Sequence, residues 1–292
     1  MSNALNAFHG EAETRTAALA RLRDIFQAKR LTSGALFWNG TQASVAAALI
    51  ESNDAQAWQD QLGLAKWMAY ALDLASSNLP QDRAVEVAGQ LLHAIPVGRD
   101  TSILGSRVIA AVLALAAAAL VSTGGAAQPL LAACQEISAL HERALAGDPP
   151  PASAWRAARK SATTATNAAE SDRVKALGAC VEAAAWDPSL APTTVGDVLR
   201  LWSYAFADTT VDQRFGWTEE DDLRIRTLLQ EMHETYLVGH PEEKRDVFML
   251  LREHHPEVEA RLLAYTKFQR TEAIRASEGT AQLLVDAVAT AQ

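Results

Sequence analysis

Reactive side chains are sparse in this 292-residue chain and stand apart from one another. The densest group is His254-His255 with Glu253, Glu257 and Glu259, residue types that can gather a metal. The same residues read more simply as a solvated helix junction ahead of Pro256, and no metal is expected. Glu219–Asp222 has cation-binding types, but helix N-termini favour acidic residues through the helix dipole. Arg107 stands at the start of the most apolar segment, where a buried guanidinium needs a carboxylate or several carbonyl acceptors. Asp73 and Asp100 are its plausible partners. His93 adjoins the loop Ala94-Ile95-Pro96-Val97-Gly98-Arg99-Asp100, whose proline and glycine fix its shape. Trp38 and Trp67 belong to an aromatic group with Phe37, Trp58 and Tyr70, which either fills a core or lines a pocket. Trp38, Trp67, His93, Asp100 and Arg107 are therefore the candidate ligand-binding residues. Core packing, a structural ion pair and a helix–helix turn are the competing explanations.

Specific catalytic patterns are missing. There is no glycine-rich phosphate loop, no Gly-x-Ser-x-Gly elbow and no Ser-x-x-Lys dyad. His141-Glu142 and His233-Glu234 are followed three residues later by Leu145 and Leu237, where a zinc protease needs a second histidine on the same helical face. No histidine is preceded at three residues by glutamate, so the di-iron bundle pattern is absent too. No cofactor is expected.

The elements that must position these residues are helices. Alanine, the strongest helix former, occurs 59 times, against 25 valines and isoleucines combined. With 49% hydrophobic and 21% charged residues, the chain is neither disordered nor sheet-like. An all-α bundle of about ten helices around a central alanine-rich apolar helix is predicted. Helices are expected over residues 10–30 and 41–50, from Asp54 to before Pro80, and over 82–94. The next is capped by Asp100, Thr101 or Ser102 and closed at Gly124-Gly125. Others run over 129–146 and along the small-residue seam Trp155, Ala158, Ala162, Ala165, Ala169. Further on, Thr218–Asp221 approximates a capping box, with aspartate in place of glutamate, for a helix to Val238. Pro241 and Pro256 open two more, and the last is expected to break at Gly279.

Charge and alanine are unevenly spread. Residues 1–207 hold 51 alanines and a net charge of −2; residues 208–292 hold eight and a net charge of −7. An alanine-rich core domain (1–207) and an acidic C-terminal subdomain or layer (208–292) are expected. No basic stripe suits nucleic acid. The longest uncharged apolar run, Val108–Val121, spans about 21 Å as a helix, short of a bilayer core of roughly 30 Å. No membrane span or signal peptide is expected, and the cytoplasm is the expected compartment. Cys134 and Cys180 lie in apolar helical patterns and read as buried free thiols.

Three segments carry a resemblance: Leu36-Phe37-Trp38-Asn39-Gly40-Thr41, Leu62-Gly63-Leu64-Ala65-Lys66-Trp67-Met68-Ala69, and the 94–100 loop. With the tract from Trp155 to Ala169, roughly residues 35–185 resemble an uncharacterised family of bacterial helical, alanine-rich proteins. That family carries an acid where Asn39 stands, and the resemblance attaches no activity, cofactor or catalytic residue. The alanine-rich tract also resembles some bacterial toxin-immunity proteins. Three functions stay open on this reading: a non-enzymatic interaction or scaffold protein whose acidic C-terminal part meets a protein partner, a small-molecule binder or enzyme using the five residues above, and an immunity-like inhibitor.

Overall fold

The structure, a computed structural model, describes residues 5–240, 242 and 244–289; at 126, 208–210, 213 and 219 only the backbone is described. The fold is all-α, with thirteen α-helices and no strand among the described residues. The chain divides into two compact units, residues 1–205 with 275–292, and residues 206–274. Two helices, α10 (Thr194–Phe215) and α13 (Pro256–Ala289), contribute residues to both.

The first unit begins with α1 (Ala12–Gln27), α2 (Val45–Ile50), α3 (Ala55–Leu62), α4 (Trp67–Ala75) and α5 (Gln81–Ala94). All six residues of α2 are buried, and it packs on α1, α3, α4 and α5. The single helix expected from Asp54 is two. Asp54 does cap α3, accepting from the Gln56 amide at 2.8 Å, but Gly63 stops it with φ +63°. A Cβ on Gly63 would lie 2.0 Å from the Asn6 carbonyl oxygen, so the N-terminal segment packs against bare backbone there.

Next come α6 (Leu104–Thr123), α7 (Gln128–Leu145), α8 (Ala152–Ala168) and α9 (Asp172–Ala184), packed in chain order with α9 returning to α6. The expected seam is visible: Trp155, Ala158 and Ala162 are buried, with Ala165 and Ala169 packed beside them. The contact is tight enough that a Cβ on Gly178 of α9 would meet Thr166 Oγ1 of α8 at 2.3 Å. At 20 residues, α6 is longer than the apolar run alone, about 30 Å. Its length and composition would let it cross a bilayer, and half of that window is buried in the protein's own core. Asp100, Thr101 and Ser102 do not cap it. Ile103 stands at the N-cap with no side-chain bond, while Gly124 closes the far end as expected. Cys134 and Cys180 are free and buried; burial pushes the Cys134 thiol up to about 11 and that of Cys180 higher still.

The second unit holds the end of α10, α11 (Glu219–Met232) with a π-helical turn at His233–Leu237, α12 (Val247–His254) and the first half of α13. The capping box forms in both directions between Thr218 and Asp221. Pro241 lies outside the described residues. The helix expected from it begins at Val247, because Asp246 accepts the Met249 amide at 2.8 Å. Gly279 does not break α13, which runs unbroken for 34 residues.

Candidate functional site

The five candidate residues fall in different surroundings. Trp67, at the start of α4, is buried, and its indole N–H donates to the Thr101 carbonyl at 3.4 Å. Thr101 also accepts the Ala65 amide at 2.9 Å, so the 100–105 segment and the start of α4 brace each other. Trp38 is half-buried in the irregular 31–44 segment. His93 is exposed at the end of α5 and bonds the Gly89 carbonyl one turn back at 2.7 Å. Asp100 accepts the Ser102 amide at 2.9 Å, a local turn. Arg107 is half-buried in the first turn of α6. No hydrogen bond joins any two of the five among the described residues, and the cavity of about 300 Å³ that Trp67 lines includes none of the other four.

Asp73 has a larger part than that of an expected partner for Arg107. It is the lone charge in α4 (WMAYALDLA) and is buried. Its Oδ2 accepts the Leu36 amide at 2.7 Å and the Ser44 hydroxyl at 2.7 Å; its Oδ1 accepts the Ala46 amide at 2.8 Å. These donors come from 27 to 37 residues upstream, which closes the 31–46 segment onto α4. Burial pushes the carboxyl up to about 6, and the donors from Ala46, Ser44 and Leu36 limit that rise.

Asp73 and Ser44 also line a cavity of about 380 Å³ with Thr32, Ser33, Ser76 and Gln81. A buried carboxylate beside a serine invites a nucleophilic reading. The hydrogen bonds argue against it. Ser44 Oγ donates to Asp73 and accepts the Phe37 amide at 3.0 Å and the Ala47 amide at 3.3 Å, which occupies its proton and both lone pairs. Ser76 donates to the Leu72 carbonyl at 2.6 Å and Ser77 to the Leu74 carbonyl at 3.0 Å. The cluster is a clamp that holds a loop and the N-terminus of α2.

The second unit presents a different chemistry. Trp217 and Tyr265 stack at 4.0 Å and 7° over a small core of Val211, Ile225, Leu251 and Val258. Arg261 grips both oxygens of Asp221, at 2.8 and 2.7 Å, and the Gly216 carbonyl at 2.9 Å. That guanidinium holds the Asp221 carboxyl well below the usual carboxylate range. The buried Glu272 is paired with Arg214, and Glu259 with Arg252 at 2.8 Å. Five large apolar side chains remain half or more exposed: Leu223, Val238, Phe248, Met249 and Leu263. His254-His255 gathers no metal cluster among the described residues; His254 stacks on Tyr236 at 4.9 Å.

Comparison with protein-family models, curated proteins and solved structures finds no match to this chain.

Proposed function

We propose that this protein is a non-catalytic interaction module whose residues 206–274 dock a basic protein partner. The observation that carries the reading is a coincidence of charge and exposed apolar surface in one compact unit. Residues 206–274 contain 15 acidic and nine basic residues, net −6 of the chain's −9, and among the described residues leave five large apolar side chains half or more exposed. Protein interfaces combine apolar anchors with charged groups that steer and orient the partner. Phe248 and Met249, adjacent on α12 and 53% and 51% exposed, are the anchors of this reading.

The test is capture from native lysate with the full chain and with its Phe248→Ser/Met249→Ser variant, at low and high salt. Basic proteins retained by the full chain, weakened about tenfold or more by the variant and by 0.5 M salt, are the expected result. A partner set that is the same for both proteins, or unchanged by salt, rejects the reading.

A further inference from the structure

A second cavity, of about 350 Å³, lies within the first unit between the start of α8 and the segment that follows α9. Its sequence origin is plain. The Pro149-Pro150-Pro151 connector is stiff and delivers the chain directly into α8, and Asp187-Pro188 turns the chain beyond α9. Trp155 and Trp186 supply two aromatic walls, Leu190 and Ala191 aliphatic ones, and Arg156 and Arg159 the positive charge. The volume falls in the range of small-molecule pockets, about 300–1,000 Å³, and the mixture of apolar wall and few polar groups is typical of them.

The positively charged side of the cavity points to a ligand. Trp155 is 6% exposed and gives the cavity an apolar wall, while its indole nitrogen is sealed from solvent. The His141 ring packs on the indole at 4.8 Å and donates from Nε2 to the Ala184 carbonyl at 2.8 Å, so its Nδ1 is the acceptor nitrogen. Trp186 is 48% exposed, and the Arg159 guanidinium sits 3.9 Å from its ring centroid. A guanidinium stacked on an indole keeps the N–H groups at its edge available for an anion. Asp187 is the one acid in the lining; its Oδ1 accepts the Ser189 amide at 2.9 Å.

From this geometry we infer that the cavity is a binding site for a flat apolar carboxylate. The apolar body lies against Trp155 and Trp186, and the carboxylate meets Arg159 and Arg156. The site is independent of the docking surface on residues 206–274.

Titration calorimetry of the full chain with 2-naphthoate, and with the uncharged 2-naphthalenemethanol, tests it. Saturable 2-naphthoate binding is expected, with the alcohol about tenfold weaker for want of the charge-assisted bonds. Arg159→Gln weakens the acid about tenfold and leaves the alcohol unchanged; Trp186→Ala weakens both; Phe248→Ser weakens neither. Both altered cavity residues lie near the surface, and thermal melts of the variants confirm that each is folded. No binding by the folded chain, equal affinity for acid and alcohol, or acid binding unaffected by Arg159→Gln overturns the inference.

Discussion

Two buried titratable groups in the first unit set opposing pH dependences. Asp73 ordinarily titrates near 3.8 and in the fold at about 6. Its contribution to stability is therefore fully present below pH 4 and is lost as pH rises through 6, on the order of 3 kcal/mol. His141 moves the other way, from 6.5 to about 4, chiefly because burial disfavours the imidazolium. It stabilises the fold above pH 6.5 and that stability is lost as pH falls through 4, by a similar order. Denaturant unfolding across pH 4–6.5 separates the two. Relative to the parent chain, Asp73→Asn is expected to grow progressively less stable as pH falls, while His141→Gln gains. Differences that stay flat with pH contradict both assignments. Asp73→Asn also removes one acceptor oxygen facing three donors, a cost of about 2–3 kcal/mol. The lone aspartate in an apolar helix is visible in the sequence, but its partners are not. Leu36, Ser44 and Ala46 reach it only because an irregular segment folds back across many residues, and no local pattern encodes that.

Helices follow local signals until another part of the chain intervenes. The Asp54 cap, the Thr218–Asp221 box and the small-residue seam of α8 are readable from spacing, since each involves neighbours in sequence or on one helical face. The two glycines that mislead do so for one reason: a glycine's meaning depends on what lies beside it. Gly63 interrupts an apolar pattern with left-handed backbone pressed on Asn6, while Gly279 sits in ordinary helix with nothing within 4 Å of an added Cβ. Gly63→Ala is expected to cost at least about 2 kcal/mol, and Gly279→Ala to stabilise by about 0.5–1 kcal/mol. Thermal melts of the two variants should move in opposite directions. A Gly63→Ala chain that melts with the parent would show that the Asn6 segment yields freely. Asp100 illustrates the limit at a helix start. Its preference for caps is met by the Ser102 amide, two residues on, and α6 begins at Leu104 without it.

Across the whole chain, the fall in alanine and rise in acidity after 207 are legible from composition, and the contacts divide the molecule at Phe206 and again at Arg275. The second division has a trace in the sequence. Ala276, Ala281 and Ala287 are buried, a return of the small-residue packing used by the first unit. The candidate sites were much less legible, because the cavity beside Trp155 joins a connector before α8 to a turn after α9. Tryptophans and arginines there signal nothing until the fold sets them together. The two thiols, by contrast, combine burial with a location confined to the first unit. An aromatic disulfide reagent reacts with thiolates, which burial suppresses at Cys134 and Cys180 alike. Modification of the native chain should be slow and should reach the rate of a free thiol in denaturant; prompt native labelling would contradict their burial. Cys134 and Cys180 are thus a built-in clock for the opening of one unit, silent to any motion confined to the other.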